Sequence, residues 1–211
     1  VLGANDGIVS TSALIVGVAA AAPEAKTVFL AGFAGLVAGA MSMSAGEYVS
    51  VSSQSDIEKA DIARETKSLE QNPETEINEL VQIYEERGLS AQTARTVALE
   101  LTEHDALGAH VRDELGLSEV LSARPFEAAL ASGVTFSVAA AVPLVAAVLA
   151  PAGSIITVVL AVTVLALVVL GALGAYAGGA PKGPAMLRVV VWGIFAMAVS
   201  ALLGRLFGVV V

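Results

Sequence analysis

Residues 27–46, with the sequence TVFLAGFAGLVAGAMSMSAG, contain no charged side chain, and Glu47 follows them directly. About 20 apolar residues in a helix cross the roughly 30 Å hydrocarbon core of a bilayer. This stretch therefore predicts a transmembrane helix that ends in a carboxylate. Met43 lies four residues before Glu47, which places both side chains on one helix face. A thioether beside a carboxylate in a membrane indicates a site for a transition-metal ion.

The composition is typical of a membrane protein with one charged insert. Hydrophobic residues make up 56% of the 211 residues, and the mean hydropathy is +0.79; soluble domains contain roughly 45–50% apolar residues. Residues 54–123 carry sixteen acids and six bases, whereas residues 128–181 carry no charged residue and no His. We therefore expect hydrophobic parts at 1–53 and 124–211 around an acidic domain at 54–123. Its negative charge argues against nucleic-acid binding.

Five segments are long and apolar enough to span a membrane: 1–22, 27–53, 126–150, 154–178 and 185–207. The predicted fold is an all-α membrane protein with five transmembrane helices and a helical insert between the second and third. Lys and Arg are enriched on the cytoplasmic side of membrane proteins. A cytoplasmic insert places nine of the eleven Lys and Arg residues inside. This orientation predicts a multi-pass protein of a bacterial cytoplasmic membrane, with its insert in the cytoplasm.

The insert is predicted to be helical throughout. The second spanning helix meets no breaker before Asn72, a new helix begins near Pro73, and Gly88 ends it. Its apolar residues Ile77, Leu80, Val81 and Tyr84 form one stripe. Ser90 is predicted to cap the next helix, which contains Val97, Leu99 and Leu101. Asp105 is predicted to cap a short helix that ends at Gly116.

Three side chains of the first two spans define a candidate transport path. Counting from the connection between these spans, Asp6 and Met43 lie at nearly the same depth, and Glu47 lies one turn closer to the cytoplasm. Carboxylate and thioether ligands together favour Fe²⁺, Mn²⁺, Co²⁺ or Zn²⁺ over Mg²⁺ or Ca²⁺. The carboxylates can also bind protons after the metal leaves. The alternative is that Asp6 and Glu47 are solvated at the membrane edge and that the methionines fill space.

The insert contains further candidate metal ligands. Glu76 and Glu79 are three residues apart, and His110 and Glu114 are four apart, so each pair shares a helix face. Glu65 and Glu70 lie on the helix against which these must pack. The alternative is that these acids form an ordinary solvated face. The chain has no Cys, which excludes thiolate-bound haem, iron–sulfur clusters and Cys-ligated zinc. We expect no prosthetic group, and metal bound only as substrate.

Four motifs resemble the vacuolar iron transporter family in its prokaryotic form: GANDGIVS at 3–10, MSMSAGEYVSVSSQ at 41–54, IYEERGLS at 83–90 and HDALGAHVRDELG at 104–116. The resemblance covers nearly the whole chain. It implies a five-span homodimer that moves Fe²⁺, and often Mn²⁺, out of the cytosol in exchange for protons. It also implies an ion path between the subunits and a cytoplasmic metal-binding domain.

The resemblance assigns roles to individual residues. Asp6 and Met43 match the intramembrane carboxylate and thioether of the family, and four acids match its metal-binding glutamates: Glu65, Glu76, Glu79 and Glu114. The chain departs from some members at three places. Gly35 replaces a Glu, for which Glu47 can substitute; Ser68 replaces another, for which Glu70 can substitute; and His110 and Val111 replace a pair of Met.

Two other classes of function are compared with transport. A membrane-anchored metal buffer or sensor would use the insert for binding without moving ions through the spans. A ferroxidase-like enzyme would need a di-iron site with Glu-x-x-His pairs, and the chain contains none. The sequence therefore favours a proton-coupled transporter of divalent metal over a buffer, and it argues against an enzyme.

Overall fold

The protein is described by a computed structural model that covers residues 2–117 and 123–208. Residue 1, residues 118–122 within the predicted insert, and residues 209–211 lie outside this description. The described ranges form seven α-helices: α1 Leu2–Ala21, α2 Ala25–Gln71, α3 Pro73–Glu86, α4 Ala91–Asp113, α5 Pro125–Leu149, α6 Ile155–Ala177 and α7 Lys182–Gly208. Five of them, α1, α2, α5, α6 and α7, are long and apolar enough to cross a membrane. The all-helical class and the five predicted spans are confirmed.

The chain divides into two compact units, residues 1–48 with 126–211 and residues 49–125. The first, the spanning unit, contains α1, α5, α6, α7 and the start of α2. Its helices bury aliphatic side chains such as Ile15, Val159 and Met197 in one cluster, and Ile8 and Leu167 in another. Small residues allow close backbone approach: a Cβ at Gly7 would lie 2.5 Å from the carbonyl oxygen of Phe136.

The second unit, residues 49–125, is called the helical unit below. It contains the end of α2 together with α3 and α4. The uninterrupted α2 runs to Gln71, as the absence of a breaker predicted. Pro73 begins α3, and Gly88, with φ of +98°, follows its end in the left-handed region. These local signals explain why the helix boundaries agree with the prediction.

The core of the helical unit is built around Leu80 of α3 and alanines of α4. Leu80 is fully buried, and Ile77 and Val81 pack around it, which confirms the predicted stripe on α3. On α4 the buried apolar residues are Ala94, Ala98 and Ala109, whereas Leu99 is 45% exposed. Small side chains on α4 let the two helices approach closely, and this close approach decides which face of α4 is buried.

Two predicted caps shape α4. The Ser90 side chain accepts a hydrogen bond from the backbone N–H of Thr93 at 3.3 Å. Asp105 interrupts the helix with extended backbone (φ −162°, ψ 86°), and its Oδ1 accepts from the N–H of Gly108 at 3.0 Å. Asp105 is therefore the N-cap of a second helical segment, and this segment carries His110.

Asp113 ties the end of α4 to the end of α3. Tyr84 donates its hydroxyl to Asp113 Oδ2 at 2.8 Å, and Arg87 Nη1 donates to Asp113 Oδ1 at 2.5 Å. The Arg87 guanidinium also lies over the Tyr84 ring. Burial alone would raise the pKa of Asp113, but the hydrogen bonds from Arg87 and Tyr84 outweigh it and lower this pKa below its ordinary value.

This network predicts a pH-dependent stability. A lowered pKa means that ionised Asp113 stabilises the fold above the ordinary carboxyl pKa of 3.8 and that this contribution is lost as pH falls through the lowered value. We expect Asp113→Asn to lower the urea midpoint of the detergent-solubilised chain by roughly 0.5 M at pH 7, and the difference from wild type should shrink as the pH falls below 3.8. Circular dichroism measures both. Asp61→Asn is the control, because Asp61 pairs only with the exposed Arg64; an equal loss there would contradict the prediction.

Candidate functional site

Four side chains of the helical unit converge in one cluster, called the acidic cluster: Glu65 of α2, Glu76 of α3, His110 of α4 and Glu114 at the end of α4. One potential ligand atom from each lies within 4.8 Å of every other. Ligands of a single ion lie about 3.0–4.3 Å apart when metal–ligand distances are about 2.1 Å. Small side-chain movements would therefore bring all four onto one ion.

Nδ1 of His110 is the centre of this arrangement. It lies 2.7 Å from Glu114 Oε2, 3.1 Å from Glu65 Oε1 and 3.8 Å from Glu76 Oε2. His110 is fully buried, Glu65 and Glu76 are nearly so, and the Glu114 side chain is 30% exposed. Three carboxylates around one nitrogen, most of them withdrawn from water, need positive charge to compensate them.

The carboxylates repel one another, and this is visible at Glu65. Burial, followed by the charges of Glu114 and Glu76, raises the pKa of Glu65, although His110 acts in the opposite direction. Ser68, one turn after Glu65, donates its hydroxyl to Glu76 Oε1 at 2.5 Å. Ser68 therefore orients the Glu76 carboxylate, a role that its sequence position alone did not reveal.

Glu79 and Glu70 are not members of the cluster. Glu79 is an exposed residue. Partial desolvation and the charges of Glu76 and Glu114 raise its pKa, which shows that it lies near the cluster. Glu70 is exposed, five residues after Glu65. Five residues correspond to about 140° around a helix with 3.6 residues per turn, so Glu70 lies well away from the face of α2 that carries Glu65.

The ligand atoms of the acidic cluster, one imidazole nitrogen and several carboxylate oxygens, favour some divalent ions over others. Ca²⁺ and Mg²⁺ prefer oxygen ligands throughout, whereas an imidazole nitrogen with carboxylates suits Fe²⁺, Mn²⁺, Co²⁺ and Zn²⁺. A divalent ion would neutralise two of the negative charges and would also occupy lone pairs that no protein group satisfies. Glu65 Oε1 is such an atom: it is buried, and although Nδ1 of His110 lies 3.1 Å away, it accepts no well-aligned hydrogen bond among the described residues.

A second site lies in the spanning unit, and we call it the membrane cavity. It has a volume of about 200 Å³ and is lined by Asp6 of α1 and Met43 of α2, so these two predicted residues lie together. Ser10, Thr11 and Ser42, three residues with hydroxyl side chains, also line it. Glu47 is half-buried one turn after Met43 and is not among the residues that line the cavity.

Glycines and two bulky side chains form the remaining wall of the membrane cavity. Gly35 and Gly39 of α2 line it opposite Leu14 and Phe136. A Cβ at Gly35 would collide with the Leu14 side chain, and one at Gly39 with the Phe136 ring. A larger residue at either position would therefore push these side chains into the cavity or away from α2.

Comparison with known proteins places this architecture in one family. Residues 1–205 match the model of the VIT family. The "Vacuolar iron transporter" of Acanthamoeba castellanii is 42% identical over 207 residues, which covers 98% of this chain and 76% of that protein.

Plant proteins show a similar relationship. "Vacuolar iron transporter homolog 3" of Arabidopsis thaliana is 38% identical, over 99% of this chain and 81% of that protein. "Vacuolar iron transporter homolog 5" of Oryza sativa is also 38% identical, over 98% and 78%. These relatives carry the names of transporters, not of enzymes. With nearly its whole length matched, the chain belongs to the VIT family, as the four sequence motifs indicated.

Proposed function

We propose that this protein transports Fe²⁺, with Mn²⁺ as a second substrate, out of the cytosol in exchange for protons. The observation that carries the proposal is the membrane cavity, where Asp6 and Met43 from two different spanning helices meet. A passage for a metal ion needs ligands inside the spanning unit, and carboxylates there are costly unless they serve such a purpose. The iron-transporter names of the relatives support the choice of substrate.

The acidic cluster is proposed to capture the ion before transport. With the helical unit in the cytoplasm, as the distribution of Lys and Arg favours, Glu65, Glu76, His110 and Glu114 would bind cytosolic metal and supply it to Asp6 and Met43. Glu47, in the turn after Met43, and the exposed Glu79 would assist the ion between these sites through their negative charge. Glu70 would likewise act on the ion only through the long-range attraction of its negative charge.

Proton exchange follows from the chemistry of the carboxylates. A site of ionised carboxylates binds either a metal ion or protons, so arrival of one displaces the other. The raised pKa of Glu65 means that protons compete with metal at a higher pH than for an ordinary glutamate. Movement of metal in one direction is thereby linked to movement of protons in the other.

A transport assay tests the proposal directly. Proteoliposomes that contain a fluorescent Fe²⁺ chelator are expected to show uptake that increases when a pH gradient is imposed. Asp6→Asn keeps the size of the side chain and removes its charge, and we expect it to lower the initial rate by about tenfold or more, because a tenfold loss corresponds to only about 1.4 kcal/mol. Glu24→Gln, on the exposed connection between α1 and α2, is the control. Absence of uptake by wild type, or an undiminished rate in Asp6→Asn, would contradict the proposal.

Metal binding by the acidic cluster is a separate prediction. We expect His110→Ala to weaken Co²⁺ binding by the purified full chain about 10–100-fold, since it removes the nitrogen ligand of the cluster. The exposed His104 provides the matched control, and His104→Ala should bind as wild type does. Affinity should also increase above pH 4.5, the ordinary pKa of a glutamate, because the ion must displace the proton favoured by Glu65. Calorimetry and the Co²⁺ absorption spectrum measure these effects, and equal losses in both variants would contradict the assignment.

A homodimer is part of the proposal. Asp6 and Ser42 are exposed on the surface of the single chain beside the membrane cavity. A carboxylate next to lipid is unfavourable, and a second subunit packed on this surface would cover it. Since the chain has no Cys, single cysteines allow a clean test. Met41→Cys, at a residue that is 69% exposed on α2, should form a disulfide-linked dimer on oxidation in liposomes, whereas Leu173→Cys on α6, also exposed, should not. Dimers at neither position, or at both equally, would argue against this interface.

The second candidate function is a membrane-anchored metal buffer. It is favoured by one observation: all four residues of the acidic cluster lie within residues 49–125, so binding does not require the spans. The two functions separate experimentally. If the protein is a buffer, the wild-type chain will bind Co²⁺ in the calorimeter but will show no Fe²⁺ flux in proteoliposomes.

A further inference from the structure

Thr11 has a hydroxyl that its own helix does not use. It is the tenth of the twenty residues of α1, near the middle of the span, and it is 1% exposed. Its neighbours bond to the backbone: Ser10 donates to the carbonyl of Asp6 at 2.6 Å, and Ser12 to that of Val9 at 3.1 Å. Oγ1 of Thr11 has no hydrogen-bond partner among the described residues.

This lack of a partner is unusual because an alternative lies within reach. A Thr in a helix commonly donates to the carbonyl three or four residues earlier, as Thr66, Thr96 and Thr102 do in this chain. A buried hydroxyl without a partner is unfavourable, more so in a membrane, where water does not compensate it. The hydroxyl of Thr11 therefore remains free to bind something else.

The membrane cavity is a space beside Thr11 in which such a partner would fit. Thr11 lines it together with Asp6 and Met43. Thr11 follows Asp6 by five residues, which is about 7.5 Å along the helix axis and about 140° around it, so the two residues line the cavity from different faces of α1. The volume of about 200 Å³ holds several water molecules, each of which occupies about 30 Å³. A partly hydrated divalent ion fits the same space.

We propose that Thr11 Oγ1 is a ligand on the ion path. It lies closer to the middle of the membrane than Asp6 does, and it binds the divalent ion directly or through one of the waters of the ion. This inference rests on the proposed transport function. A neutral hydroxyl oxygen binds a divalent cation more weakly than a carboxylate does. Weak ligands suit an ion that must leave again, because conduction requires both entry and release.

Two substitutions distinguish the effect of the Thr11 hydroxyl from the effect of the shape of the side chain. Thr11→Val keeps the branched shape and removes the hydroxyl, and we expect it to lower the initial Fe²⁺ rate about tenfold while Co²⁺ binding by the acidic cluster is unchanged. Thr11→Ser keeps the hydroxyl, and we expect it to retain at least half of the wild-type rate. Thr163→Val is the matched control, since Thr163 is also fully buried with an unpartnered hydroxyl but does not line the membrane cavity. Its rate should match that of wild type.

The outcomes distinguish this inference from the transport proposal. A wild-type rate in Thr11→Val, with the rate of Asp6→Asn lost, would overturn the role of Thr11 and leave transport intact. Equal losses in Thr11→Val and Thr11→Ser would overturn it as well, because packing rather than the oxygen would then be responsible. Absence of uptake by wild type would overturn both proposals.

A cysteine substitution gives a readout that does not depend on flux. Because the chain has no native Cys, Thr11→Cys can be labelled selectively with a small, charged methanethiosulfonate. We expect labelling in liposomes that Fe²⁺ slows at least about threefold, and inhibition of uptake by Cd²⁺, which binds thiolates. Thr163→Cys should show neither effect. Absence of labelling at Thr11→Cys, or labelling that Fe²⁺ does not slow, would overturn the inference even if Thr11→Val fails to fold.

Discussion

Compensation of negative charge is the constraint on which the helical unit depends. Three carboxylates approach Nδ1 of His110, and two of them are almost completely withdrawn from water. Burial, together with the charges of Glu114 and Glu76, raises the pKa of Glu65. A divalent cation offsets the negative charge of the carboxylates and satisfies the lone pairs at the same time. The cluster is therefore suited to a cation, and its nitrogen ligand would favour transition metals.

The rest of the helical unit holds the ligands at this spacing. Extended backbone at Asp105 breaks α4 and starts the segment that carries His110. Asp113, bonded to Tyr84 and Arg87, then fixes that segment against α3, which carries Glu76. These polar contacts lie outside the cluster, so they position its ligands without competing for the ion. The imidazole nitrogen of His110, added to the carboxylate oxygens, favours borderline ions over hard ones.

Much of the helical framework was predictable because its signals are local. Pro73, Gly88, Ser90 and Asp105 act within one turn of their own positions, so their effects can be read without knowledge of the tertiary structure. Spacing also predicted that His110 and Glu114 share a face. The offset of five residues between Glu65 and Glu70 indicates in the same way that these two acids lie on different faces of α2.

What the sequence did not reveal depends on packing between helices. Leu99 is exposed because the alanines of α4 determine how closely α3 approaches, and this closeness is a property of two helices together. The bond from Ser68 to Glu76 joins two helices across a turn. The free hydroxyl of Thr11 likewise depends on α2 and α5, whose glycines and Phe136 shape the membrane cavity. A Thr in a helix gives no sign of this, since most satisfy their hydroxyl locally.

The acidic cluster offers more strongly binding metal ligands than the membrane cavity does. The proposed transport requires this order, from a capture site to a site that releases the ion. The acidic cluster combines three carboxylates and an imidazole, whereas the membrane cavity offers one carboxylate, one thioether and neutral hydroxyls. An ion would remain trapped in the stronger site unless something weakened it. Protons do so, because the elevated pKa of Glu65 lets protonation compete with metal under conditions in which an ordinary glutamate would stay ionised. Release from the capture site is then governed by pH, and the weaker ligands of the cavity can accept the ion and give it up again.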